Sequence, residues 1–244
     1  MVILFTGSAS FFHFRSLYDN EIPNTLYPTT DTVYGADDIK NLEAYFISRV
    51  KSKKRLSTFT PRLDLSELNI RPDSALADLG CGTGGFELRL LEEHVPFGRA
   101  YAIDVDKPSL DFLSFALSRI DYAGKENIVP VVSAFDDVRL PFKSVDILIA
   151  FNTKIGMRPL TNPLSDENLK TRDRLFASIK AALRPGAMVH VYEPLEVRDR
   201  PYPMEYMIEP YKTYGFRLSK PPEKIRIKSI FKPDYVHLVF TAGD

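Results

Sequence analysis

The sequence predicts an α/β fold, a mostly parallel sheet with helices on both faces, closed by an antiparallel pair of strands. Three observations predict it. From about residue 70, short apolar runs alternate with amphipathic stretches, the pattern of parallel strands joined by covering helices. A glycine-rich turn, Gly80-Cys81-Gly82-Thr83-Gly84-Gly85, separates the first run from the first helical stretch. Near the C-terminus, apolar runs at 224–231 and 235–240 are joined only through Lys232-Pro233-Asp234, which is long enough for a hairpin and too short for a parallel crossover.

Residues 1–70 form an N-terminal extension outside this rhythm, and residues 71–244 form the α/β domain. Residues 10–34 carry Phe11, Phe12, Phe14, Tyr18, Tyr27 and Tyr34, broken by Pro23 and Pro28, without a sustained period. They are either a candidate substrate lid or aromatics that pack the extension onto the domain. Residues 37–54 read as a helix, with Ile39, Leu42, Tyr45, Phe46 and Ile47 near one face. Its basic end, residues 49–55, suits a helix C-terminus; a phosphate- or RNA-contacting patch is the sharper alternative.

Strand 75–79 comes next, then helix 84–94, strand 99–104 and a helix over 108–122. Pro108 opens that helix in its first turn, and Leu110, Leu113, Leu117 and Ile120 form its buried stripe. Strands follow at 128–132 and 144–151. A long helix over 166–183 has Ser165 as N-cap and two acids in its first turn, and Pro185-Gly186 stops it before strand 187–192. A helical stretch near 203–214 precedes the final hairpin.

Composition narrows the functional classes. Thirty-two basic and 32 acidic residues cancel, so no global field attracts nucleic acid or an anionic membrane. The single cysteine rules out an internal disulfide, and four scattered histidines offer no Cys/His metal spacing, so no metal is expected. No apolar run is long enough to span a bilayer and the N-terminus lacks the features of a signal peptide, so a cytoplasmic protein is expected.

The chemistry begins at Asp78-Leu79-Gly80-Cys81-Gly82-Thr83-Gly84. Glycines let the backbone take positive φ and approach a ligand, and the following helix N-terminus offers unpaired N–H groups. The spacing Gly80, Gly82, Gly85 fits G-x-G-x-x-G, which alone suggests a dinucleotide. Asp78 argues otherwise, because a carboxylate beside the turn repels a pyrophosphate and attracts an ammonium group. S-adenosylmethionine carries that ammonium, no phosphate, and a carboxylate that a helix N-terminus can receive. Asp104, at the tip of the second strand, can accept hydrogen bonds from both ribose hydroxyls, or it can cap the next helix, a task open to Asp106. Asp136 can accept from an adenine amino group while the Asp137 backbone N–H donates to a ring nitrogen; the alternative is two solvated loop acids.

Taken with Asp104, with Asp136 before Leu140-Pro141-Phe142, and with Leu183-Arg184-Pro185-Gly186 before the fifth strand, this turn resembles the class I S-adenosylmethionine-dependent methyltransferases. The resemblance covers about residues 70–241. It implies a three-layer, Rossmann-like, seven-stranded sheet that ends in an antiparallel hairpin. It implies that Asp78 and Gly80, Cys81, Gly82 and Gly84 hold the methionine moiety, Asp104 and Val105 the ribose, and Asp136 and Asp137 the adenine. Phe151 and Asn152 would border the sulfonium. The acceptor is left open, with a small molecule favoured and RNA or protein as the alternative. A non-catalytic nucleoside-binding relative is the rival outside the enzymes.

The transfer itself asks for little beyond alignment. The sulfonium activates its methyl group, so an acceptor lone pair must lie in line with methyl and sulfur, away from water. A base is needed only for an acceptor that is protonated where it attacks. Asn152-Thr153-Lys154-Ile155 departs from the Asn/Asp-Pro-Pro-aromatic run of base-amino methyltransferases. Cys81 lies in the cofactor turn, which excludes the cysteine-dependent cytosine chemistry. Lys154 and Arg158 can receive an anionic acceptor or stand in solvent. Glu193 can serve as base or ammonium ligand, or be structural. His190 reads as a core histidine.

Overall fold

The computed structural model describes residues 36–51, 64–153, 166–197, 200–201, 203–225 and 234–243. Five helices and one large sheet make up this part: α1 (Ala36–Lys51), β1 (Ala75–Leu79), α2 (Gly85–Glu92), β2 (Arg99–Asp104), α3 (Lys107–Arg119), β3 (Ile128–Val132) and β4 (Val145–Phe151) come first. Then follow α4 (Asp166–Ala182), β5 (Leu183–Pro194), a small pair β6 (Glu196–Val197) and β7 (Arg200–Pro201), α5 (Met204–Thr213), β8 (Phe216–Leu218), β9 (Glu223–Ile225) and β10 (Tyr235–Ala242).

The sheet runs β3-β2-β1-β4-β5-β10-β8, with β9 also on β10. β1 to β5 pair in parallel, and β10 lies antiparallel to β5, β8 and β9. Strand alternation sends one set of side chains to each face. Ala77, Leu79, Leu148, Ala150, Val189 and Val191 pack with Leu175, Phe176 and Ile179 of α4 and with Met207 and Tyr211 of α5. Leu76, Ile147, Ile149 and Tyr192 pack with Phe46 of α1, with Phe86, Leu88, Leu90 and Leu91 of α2, and with Leu110, Phe112 and Leu113 of α3. Helices cover both faces, as the sequence predicts.

α1 belongs to this body. Phe46 meets Phe112 and Phe115 edge-on at 5.8 and 6.5 Å, so the one described helix of the extension docks on α3. Asp106 is the N-cap of α3 and accepts from the backbone N–H of Ser109 at 3.2 Å. Leu117, expected in the buried stripe of α3, is half-exposed. At the opposite end of the sheet from the glycine turn, Asp146 binds Arg184 through both carboxylate oxygens (2.8 and 2.7 Å) and accepts from the Ala75 N–H. Arg184, the second residue of β5, therefore ties β5 to β4; the strand begins at Leu183, ahead of the Pro185-Gly186 pair that was expected to precede it.

The final hairpin differs from expectation in one strand. The partner of β10 begins earlier, at Phe216, and is interrupted between β8 and β9, where Pro221 and Pro222 lack the N–H that a ladder requires. The two pieces occupy one position on the same edge of β10, so the sheet is seven positions wide. Residues 226–233, with the predicted hairpin connection, lie outside the described residues, as do the aromatic stretch 10–34, Ser165 and most of the basic cluster 49–55. No described helix is long and apolar enough to cross a membrane.

Candidate functional site

The glycine turn sits where β1 and β2 end together. Gly80 and Cys81 both donate their backbone N–H to the Ile103 carbonyl (2.8 and 3.0 Å), and Gly84 donates to Cys81 (3.0 Å). Gly80, Gly82 and Gly84 all have positive φ, at 75°, 54° and 78°. Their surroundings separate their roles. A Cβ on Gly80 would lie 2.5 Å from Cγ2 of Thr153, and one on Gly84 would lie 2.3 Å from Cδ1 of Leu113, whereas one on Gly82 would meet nothing within 4 Å. Gly80 lets the β4 tip approach, Gly84 lets α3 approach, and Gly82 faces open space where a ligand can lie against the backbone.

Asp104 straps the turn. One of its carboxylate oxygens accepts from the Gly82 N–H at 2.8 Å, and the other from the Asp106 N–H at 2.9 Å. A carboxylate offers about four lone-pair positions, so capacity remains for two hydroxyls of a ligand. Helix capping falls to Asp106, which separates the two tasks the sequence left open for this pair.

Three carboxylates converge below the turn. Asp78, two residues after Leu76, shares its side of the strand and points to the α1–α3 face, where it is buried. Burial, reinforced by Asp104, raises its carboxyl to about 7. Glu87 in the first turn of α2 is fully buried, and neither of its oxygens has a hydrogen-bond partner. Burial, with the nearby Asp78 charge, holds its carboxyl well above the usual range. Asp104 is raised as well, mainly by burial, although its bonds from Asp106 and Gly82 oppose the shift. Cys81 is buried in the same surroundings, its thiol pushed up by burial and then by Glu87 and Asp78. Those surroundings favour the neutral thiol.

At the β4 tip, Phe151 stacks on Tyr235 (5.1 Å between centroids) and lies 5.9 Å from Tyr192. Asn152 takes a left-handed φ of 53° and donates its N–H to the Tyr192 carbonyl at 2.7 Å. Glu193, at the end of β5, is buried. His190 is buried, with Nδ1 3.0 Å from Nε2 of His237. Val105, between β2 and the α3 cap, is half-buried.

The third-strand loop is more occupied than the sequence suggests. Asp136 accepts from Arg174 Nε of α4 at 2.7 Å. Asp137 accepts from the Ser178 hydroxyl and the Arg139 N–H, and its own N–H points to the Ala134 carbonyl at a long 3.4 Å. Lys154 and Arg158 lie outside the described residues. Sequence reasoning missed Glu87, which reads as an exposed first-turn acid of an amphipathic helix, and Thr153, whose methyl makes Gly80 obligatory. Neither carries a signal in one sequence.

No protein-family model matches the chain, and no curated protein does. Solved structures do. The chain is similar to a SAM-dependent methyltransferase from Aquifex aeolicus, with 19% identity and TM-score 0.56 over 86% of this chain and 100% of that one. It is similar to one from Methanosarcina mazei, with 11% identity and TM-score 0.57 over 75% and 99%. The [4+2]-cyclase SpnF matches as well, with 14% identity and TM-score 0.57 over 84% and 94%. The chain has the class I methyltransferase fold. At these identities the likeness shows the fold, and chemistry must be argued from the site.

Proposed function

We propose that the protein binds S-adenosylmethionine at the glycine turn and transfers its methyl group by in-line displacement to a small-molecule acceptor. The observation that carries the reading is the acidic cradle. Asp78, Glu87 and Asp104 gather beneath the turn, while Gly82 leaves its backbone facing open space. An incoming ammonium group draws these raised carboxyls into their ionised form and is held by them, whereas a pyrophosphate would keep them protonated and gain no ion pair from them.

In this reading the α-ammonium lies toward Asp78, the ribose hydroxyls take the remaining lone pairs of Asp104, and the aromatic tip at Phe151 borders the sulfonium. Adenine recognition falls to the Asp136–Asp137 loop, with Asp136 shared with Arg174. Glu193, Lys154 and Arg158 are the candidates on the acceptor side. RNA or protein as acceptor is the alternative, and so is nucleoside binding without turnover; the [4+2]-cyclase shows that this fold has a use other than the one proposed.

Calorimetric titration with S-adenosylhomocysteine, with NAD as control, is the deciding experiment. Saturable binding of the first alone supports the cofactor and justifies turnover assays against an acceptor pool. Binding of NAD alone overturns it. Within the site, Asp104→Ala should weaken S-adenosylhomocysteine by at least about tenfold, the loss expected when hydrogen bonds to a charged group are removed. An unchanged affinity removes Asp104 from the ribose position.

A further inference from the structure

We propose that Glu67, Glu223 and Nδ1 of His237 form a binding site for one divalent transition-metal ion, separate from the glycine turn. The three meet on the α1–α3 face of the sheet, at the edge away from β3. Glu67 comes from the 3-10 turn Leu65–Leu68 before β1, Glu223 from β9, and His237 from β10, where it pairs directly with Glu223. Their ligand atoms all lie within 4.8 Å of one another.

The histidine is what marks a ligand site rather than a surface ion-pair network. His237 is completely buried, and its Nδ1 has no hydrogen-bond partner. That atom lies 3.2 Å from Oε2 of Glu67. The other ring nitrogen, Nε2, is 3.0 Å from His190 Nδ1, and Tyr192 stacks flat on the ring at 4.2 Å, so the imidazole cannot turn away. In the tautomer that carries its proton on Nε2, toward His190, Nδ1 presents a lone pair beside a carboxylate oxygen, and a cation between them would join the two as ligands. A metal-bound imidazole is oriented in this way, by a partner on its second nitrogen. Two ligands bound at about 2.0–2.1 Å stand roughly 2.9–3.4 Å apart at tetrahedral or octahedral angles, and the observed 3.2 Å falls in that interval. Glu223 is exposed and can close the remaining distance by changing rotamer.

Lys220 holds the counter-ion position at present. Its Nζ lies 3.4 Å from Glu67 and 3.2 Å from Glu223, longer than the roughly 2.7–2.9 Å of a good charge-assisted bond. The ammonium and the metal are alternative neutralisers of the same two carboxylates. Imidazole with two carboxylates suits Zn²⁺ or a similar ion. Binding would clasp the segment before β1 to the C-terminal edge of the sheet, closing a loop that contains most of the domain.

The test is competition of tag-free protein with a chromophoric chelator for Zn²⁺, with thermal melting to verify that each variant is folded. One Zn²⁺ per chain is expected, weakened at least about tenfold by Glu67→Gln and by Glu223→Gln and tightened by Lys220→Met. Co²⁺ substitution should give absorption bands that the double variant Glu67→Gln/Glu223→Gln loses. Equal zinc uptake by wild type and the double variant overturns the proposal, as does a Lys220→Met protein with unchanged or weaker affinity. Cofactor titration at the glycine turn does not enter this readout, so the two proposals fail independently.

Discussion

Asp78 sets the electrostatics of the glycine turn from beneath it, and its behaviour with pH is a direct probe. Its carboxyl is ordinary in the unfolded chain and raised to about 7 in the folded one. The folded protein therefore binds the extra proton between about pH 4 and pH 7, and this contribution to stability is lost as pH rises through that window. His190 and His237 act in the opposite sense, because burial lowers them to about 3 and about 4. Subtracting an Asp78→Asn variant cancels the histidines. The melting temperature of the variant should rise relative to wild type as pH increases from 4.5 to 8, and a constant difference would show that Asp78 is not held protonated. Gly82 permits a second test. Gly82→Val places a side chain in open space at a φ of 54°, so it should abolish S-adenosylhomocysteine binding while the circular dichroism stays native. At this scale the sequence was legible where one residue does one job, as at Asp106, and illegible where burial decides. Glu87 looks like any first-turn acid, and Asp136 gives no hint of Arg174 on a helix 38 residues away.

The elements were the most legible, because alternation and turn residues are local. β1 to β4 and α2 to α4 stand within a few residues of their expected bounds. The expected partner of β10 from residue 224 is present as β9, while its earlier piece β8 went unread because Phe216-Arg217-Leu218 is a short run that two prolines separate from β9. How tightly elements are fitted can be measured at Gly84. A Cβ there would strike Leu113 of α3, at a φ of 78°. Gly84→Ala should cost about 2 kcal/mol or more in urea denaturation, the range of strain plus overpacking. The double variant Gly84→Ala/Leu113→Ala should be at least about 0.5 kcal/mol more stable than the summed single effects predict. Strict additivity would show that α3 does not restrain the turn.

Across the whole molecule, the two faces of the sheet are covered by different parts of the chain: α1, α2 and α3 on one, α4 and α5 on the other. That three-layer plan was legible from periodicity. The gathering of Glu67, His190, Glu223 and His237 was not, since it depends on the order of strands in the sheet and on a segment folding back before β1. A ligand seated on the glycine turn touches β1, β2 and β4 together, so its binding should be read globally. S-adenosylhomocysteine at about 100 times its dissociation constant should add roughly 2.7 kcal/mol, a melting shift of roughly 5–11 °C for a chain of this size. A cofactor that binds by calorimetry without shifting the melt would show that the site lies on a part that unfolds separately.

The close approach of Thr153 to Gly80 has a consequence for how such a protein can diversify. Thr153 closes the β4 tip, and its methyl is pinned against the glycine turn. A pair packed this closely changes as one unit, since a side chain at position 80 has no room while the Thr153 methyl stays. Drift at the β4 tip is therefore tied to the glycine turn, and neither can be redesigned without the other.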